Sequence, residues 1–169
     1  MMKTKQIARA ACIAALYAGV SVALAPLSFG MVQVRVSEAL TLLPIFSADA
    51  VWGVTLGCFL ANLIGMFMGA NILGPLDVVL GTAATLAAAL LTRALRKKSP
   101  WLAALPPVLI NALVIGGELT FAFGPHTLSV FAVQCAWVAL GQAGACFVLG
   151  VPLVKLLQKN NTLRSRVFD

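Results

Sequence analysis

Apolar runs close to the roughly 20 residues a helix needs to cross a bilayer occur near 7–25, 51–68, 76–95, 101–117 and 128–157. Between the first two lies a stretch of another kind, FGMVQVRVSEAL, Phe29 to Leu40. VQVRVS alternates, with Val32, Val34 and Val36 on one side and Gln33, Arg35 and Ser37 on the other, a period-2, strand-like pattern. SEALTLLPIF follows, a short helix near 37–47 interrupted close to its end by Pro44. Ser37 is placed to cap that helix, with Glu38 in the first turn, where the helix dipole favours an anion.

Charge decides how many of these runs cross. Eleven of the twelve Lys and Arg fall in three clusters: Lys3, Lys5 and Arg9; Arg93, Arg96, Lys97 and Lys98; and Lys155, Lys159, Arg164 and Arg166. The positive-inside rule puts all three clusters in the cytoplasm. Five crossings cannot do so, because three of them precede Arg93. The short second helix must therefore cross as well, giving six helices with both termini cytoplasmic. An interrupted helix at membrane depth is tolerated where it borders protein or a water-filled cavity.

Composition agrees with this picture. The 169 residues are 61% hydrophobic and 10% charged, with a mean hydropathy of +1.00. They are expected to form a single all-α transmembrane domain over 1–169. The formal charge of +7 needs no nucleic acid, since topology alone calls for basic inner loops. The N-terminus mimics a secretory signal, but Pro26 directly after ALA disfavours cleavage and the run is long enough to span, so a retained first helix is expected. Cys12, Cys58, Cys135 and Cys146 lie within apolar runs and lack metal-ligand spacing with the single His126, which reads as buried, inert thiols.

Against this apolar background the polar residues stand out. Asp77 opens the fourth helix, Asn62 lies in the third, and Asn111 and Glu118 sit two turns apart on the fifth. Gln134, Trp137 and Gln142 follow on the sixth. Glu38, Asp77 and Glu118 all fall in the outer half of the expected topology. Ionisable groups at membrane depth cost on the order of 2.5–3.5 kcal/mol on insertion scales and mark function by default, whereas Asn62 and Asn111 also suit helix–helix hydrogen bonding. Two readings of Phe29–Leu40 stay open. One is a capped helix with an Arg35–Glu38 pair at the membrane surface, which contributes little. The other is a polar edge folded over an outward-facing cavity. No nucleotide-binding loop, zinc-protease motif or nucleophile elbow is present, so binding is favoured over catalysis and no cofactor is expected.

The first helix carries small residues in two adjacent ladders, Ala10, Ala14, Ala18 and Ala11, Ala15, Gly19. Small residues four apart let another helix approach closely. The glycines of GVTLG and GMFMG are assigned to packing within the bundle, and the paired ladders to an external helical partner.

With these residues in view, the chain resembles the substrate-binding (S) components of energy-coupling factor (ECF) transporters. VQVRVSEALTLLP, GCFLANLIG, GPLDVVLGTAATLAA and PPVLINALVIGGEL narrow the resemblance to the QueT family, proposed importers of queuosine precursors. It runs from the first helix to about Gly150. Gln142 departs from the acidic residue expected after VALG.

The resemblance implies an S-component bundle with an outward-facing pocket, docking on a transmembrane scaffold subunit served by two ABC-type ATPases. It implies Ala10, Ala11, Ala14, Ala15 and Ala18 as the docking face, and a deazaguanine, as queuine or its aminomethyl or cyano precursors, as substrate. Gln33, Arg35, Glu38, Asn62, Asp77, Asn111, Glu118, Gln134 and Trp137 are the candidate binding residues. A carboxylate accepts the two neighbouring N–H groups of a guanine-like edge, and Trp137 offers a stacking surface worth roughly 1–3 kcal/mol. An S component for another vitamin-like molecule, and a structural membrane subunit that binds nothing small, are the competing readings.

Overall fold

A computed structural model describes residues 3–30 and 33–168, apart from the side chains of Leu163 and Arg166. Helix α1 spans Thr4–Ala23 and is followed by a single turn, Ala25–Ser28, with Pro26 at its second position. A 3-10 helix follows at Val36–Ile45 and α2 at Asp49–Phe67. Then come α3 at Asp77–Ala94, α4 at Pro100–Phe123 and α5 at Leu128–Lys159. The short α6 spans Asn161–Phe168. Five of these helices, α1 to α5, are long and apolar enough to cross a membrane. The molecule is a multi-pass membrane protein, and α4 runs six residues past the expected end at Gly117.

The outer surface is apolar and the interior is where the polar groups collect. Leu16, Trp52, Leu56, Leu109, Leu113, Leu140 and Val148 are all exposed, as suits side chains facing lipid tails. Buried among Leu42, Val54, Leu119 and Val138 are Gln33, Arg35, Glu38, Asn62, Asp77, Asn111, Glu118 and Gln142. Burying that many polar groups is costly unless they are paired, so the arrangement needs an explanation beyond packing.

Glycine sets the closest helix pair. A Cβ at Gly53 would stand 2.9 Å from Ile13 Cβ, and one at Gly57 2.6 Å from Tyr17 Cβ, so α1 and α2 meet backbone to backbone. The buried stripe of α1 is Ala10, Ile13, Ala14, Tyr17, Ala18 and Ser21, at helical spacing. The Ala10, Ala14, Ala18 ladder therefore faces α2 rather than an external partner, and Ala11 and Ala15 remain exposed. Gly65 likewise lies against the Phe29 ring. Of the thiols, Cys58 and Cys146 are buried, but Cys135 is half-buried and Cys12 exposed. Cys12 lies beside the outward ladder, so an apolar run around a cysteine did not imply burial.

The segment after α1 is not a strand, and no strand occurs among the described residues. Its alternation is real but inverted with respect to a soluble edge. Gln33, Arg35 and Ser37 are buried while Val34 and Val36 are half-exposed, because here the outside is lipid; Val32 lies outside the described residues. The helix starts one residue early, at Val36, without a side-chain cap. Ser37 Oγ instead pairs with Ser21 Oγ at 2.6 Å, tying the segment to α1. At about 2.0 Å per residue, a 3-10 helix stretches ten residues to about 20 Å, against about 15 Å for an α-helix. That is still short of a hydrocarbon core about 30 Å thick. Gly150, at the end of a π-helical stretch of α5 (Gly144–Gly150), lets the 3-10 backbone in: its Cβ position is 3.1 Å from the Ala39 carbonyl oxygen.

One end of the bundle is tied together by basic residues. Arg9 Nε pairs with Asp49 Oδ2 at 2.5 Å, and its Nη1 donates to the Val167 carbonyl. Phe168 stacks on Phe46 with centroids 5.0 Å apart, and Arg93 Nη1 donates to the Pro44 carbonyl. The starts of α1 and α2, the ends of α3 and the 3-10 helix, and α6 thus meet at one basic end.

Candidate ligand-binding site

The opposite half holds the buried polar cluster, and Arg35 is its hub. Its Nη2 donates to Asp77 Oδ2 at 2.6 Å and its Nε to the Ser28 carbonyl at 3.1 Å. Its Nη1 faces Cys58 Sγ at 3.8 Å, and the guanidinium lies over the Phe29 ring, 5.2 Å from the centroid. Burial opposes its charge, but the Asp77 carboxylate beside it outweighs burial and holds the guanidinium protonated beyond the ordinary arginine range. Arg35 is thus committed to the protein. It pins the segment between α1 and the 3-10 helix onto the start of α3.

Asp77 is held from several sides. Asn71 Nδ2 donates to its Oδ2 at 3.0 Å, and Asn62 Nδ2 to its backbone carbonyl at 2.7 Å. The π-helical turn Asp77–Gly81 opens α3, and the carboxylate folds back over Gly81, where any Cβ would collide with Oδ1. This accounts physically for a glycine four residues after the aspartate. Cys58 sits beneath, accepting from Thr85 Oγ1 at 3.2 Å.

Glu38 does not pair with Arg35 at the surface. It is buried, and its Oε1 accepts from the Tyr17 hydroxyl at 2.5 Å. Asn111 stands beside the Glu38 carboxylate and donates through Nδ2 to Gln142 Oε1 at 3.2 Å. Glu118, 4% exposed, lies within electrostatic reach of Asp77 and Arg35. The cluster therefore draws on α1, the 3-10 helix, α2, α3, α4 and α5.

Several buried atoms have no partner among the described residues: both oxygens of Glu118, Glu38 Oε2, Asp77 Oδ1, Asn62 Oδ1, Gln33 Nε2 and Ser28 Oγ. Buried polar groups are nearly always hydrogen-bonded, so this concentration in one cluster marks a place built to be completed by something else. It is rich in acceptors and suits a molecule that presents N–H groups. Gln33 adds a second sign: its φ of +48° is uncommon for a residue with a side chain, and such backbone strain gathers at ligand clamps.

The structure thus brings Gln33, Arg35, Glu38, Asn62, Asp77, Asn111 and Glu118 into the buried interior. Gln134 is half-buried, and Trp137 is 51% exposed. The aromatics packed into the cluster are instead Tyr17 and Phe29. Sequence reasoning passed over Tyr17, Asn71 and Thr85. Tyr17 was legible as the chain's single tyrosine, one residue off the Ala10, Ala14, Ala18 ladder, whereas nothing in the sequence distinguishes Asn71 from an ordinary loop asparagine.

Comparison with known proteins bears on this arrangement. The profile of the family described as QueT transporter matches residues 7–159, from the first turn of α1 to the end of α5. No functionally curated protein and no solved structure matches the chain. With nine-tenths of its length matched, the chain belongs to the QueT transporter family.

Proposed function

We propose that the chain is the substrate-binding component of an ECF-type importer and captures a 7-deazaguanine precursor of queuosine. Two ABC-type ATPases working through a scaffold subunit would supply the energy, which agrees with the lack of any nucleotide-binding motif in the chain. In this reading the 3-10 helix completes a sixth crossing and the basic end faces the cytoplasm. The polar cluster then opens outward, and the exposed Ala11 and Ala15 face of α1 docks on the scaffold.

The observation that carries the reading is the set of buried acceptors left without protein donors. A deazaguanine has a flat ring whose edge offers adjacent N–H donors, and its carbonyl takes a donor such as Gln33 Nε2. Glu38, oriented by Tyr17, accepts from the ring edge. Arg35 holds the rim in place through Asp77 rather than touching the substrate itself.

Calorimetric titration of the detergent-purified chain with queuine, its aminomethyl and cyano deazaguanine precursors, and guanine tests this. Tight binding of a deazaguanine with guanine far weaker is the expected result. Glu38→Gln should weaken it by about 100-fold, within the range for a buried charged hydrogen bond, without lowering thermal stability by more than a few degrees. Binding of none of the four by a folded, monodisperse sample would remove the deazaguanine assignment.

A further inference from the structure

We infer that the ligand is a cation and that Glu118 is its counter-ion, so that the site selects a deazaguanine carrying a protonated amine arm over a neutral one of the same ring. The inference rests on the deazaguanine reading above and concerns the charge of the substrate and the residue that reads it.

Of the buried carboxylates, one is cancelled by a protein cation, one has only neutral partners and one has none. Arg35 and Asp77 cancel in a 2.6 Å ion pair, and Asn71 donates to the same carboxylate. Glu38 receives the Tyr17 hydroxyl and has Asn111 beside it. Glu118 receives nothing: both of its oxygens are buried and unpartnered, and no lysine or arginine pairs with it among the described residues. A buried carboxylate without a partner is strongly disfavoured. Neutral N–H groups would solvate it without cancelling its charge, whereas an ammonium does both.

Spacing agrees with the assignment. Asn111 and Glu118 are seven residues apart on α4, hence about 10.5 Å along its axis and within about 20° of one face. Asn111 marks the position of Glu38. The two carboxylates that retain free oxygens and lack an ion-pair partner are therefore placed about two helical turns apart, a separation that suits a bicyclic ring with a short arm. Glu38 takes the ring edge at one end and Glu118 the amine at the other.

The test compares 7-aminomethyl-7-deazaguanine, a cation, with its neutral 7-cyano counterpart on the full chain in detergent. Wild type should bind the aminomethyl form at least about 100-fold tighter, the scale of a desolvated charge pair. In Glu118→Gln the ratio should fall below about tenfold, chiefly through weaker binding of the aminomethyl form, and Glu118→Asp should restore the preference. Should Glu118→Gln bind neither ligand, Glu118→Asp decides: preference retained supports the inference, preference lost overturns it. Equal binding of both forms by wild type, or an undiminished ratio in Glu118→Gln, overturns the inference and leaves the deazaguanine reading standing. Binding of neither form by wild type overturns the inference, and the deazaguanine reading falls with it if queuine also fails to bind.

Discussion

Residues that the sequence places side by side are parted in the fold, and residues far apart are joined. Arg35 and Glu38 stand three positions apart, yet Arg35 reaches Asp77 and Glu38 is met by Tyr17. A buried ion pair is weak evidence for stability, but removing one partner leaves an uncompensated charge that costs about 3–5 kcal/mol. Arg35→Ala and Asp77→Ala should therefore each lower the melting temperature of the detergent-solubilised chain sharply. The paired change Arg35→Met with Asp77→Leu, which removes both charges and keeps apolar volume, should recover most of that loss. Single variants that melt like wild type would show that the pair does not hold the rim. The sequence marked these residues as costly and therefore purposeful. It held no information on which carboxylate takes which donor, since that depends on how α1, the 3-10 helix and α3 are brought together.

Among the elements, α1 shows how one pattern serves two surfaces. Its two alanine ladders look equivalent in the sequence, but Gly53 and Gly57 of α2 accept only one of them, and Ala11, Ala15 and Gly19 are left outward. Ala14→Leu should destabilise the isolated chain by about 1–3 kcal/mol, the usual cost of overpacking, read as a lower melting temperature. Ala11→Leu with Ala15→Leu should leave that temperature unchanged and abolish co-purification with the proposed scaffold subunit. Co-purification that survives the outward substitutions would place docking elsewhere. The 3-10 helix is the other element the sequence foretold in part. Its place, shortness and Pro44 were legible, but its winding was not. Backbone approach at Gly150 and side-chain ties at Ser21, Tyr17 and Cys146 act on it from distant parts of the chain.

For the whole molecule, topology follows from where the basic residues gather. The contacts of Arg9 with Asp49 and Val167, and of Arg93 with Pro44, collect basic residues at one end, the arrangement that the proposed cytoplasmic face calls for. In a chain cleared of its own cysteines, Thr127→Cys should react with a membrane-impermeant maleimide in intact cells, and Ser99→Cys only after permeabilisation. The opposite pattern would remove the sixth crossing or invert the topology, and labelling of both in intact cells would mean that α4, which lies between them, does not cross. An apolar stretch of bilayer length must be a helix, because its backbone has no other partner in lipid. A polar residue inside such a run is costly enough to announce itself. These two constraints act on each residue separately, so the sequence by itself determined the helical membrane class, the positions of the long helices and the roll of suspect polar residues. Only the tertiary structure decided which ladder packs inward, that the alternating segment turns its polar side in, and that Glu118 is a buried carboxylate with no partner among the described residues. Those outcomes depend on helix rotation and on distances between residues remote in sequence, and one linear pattern is compatible with many such arrangements.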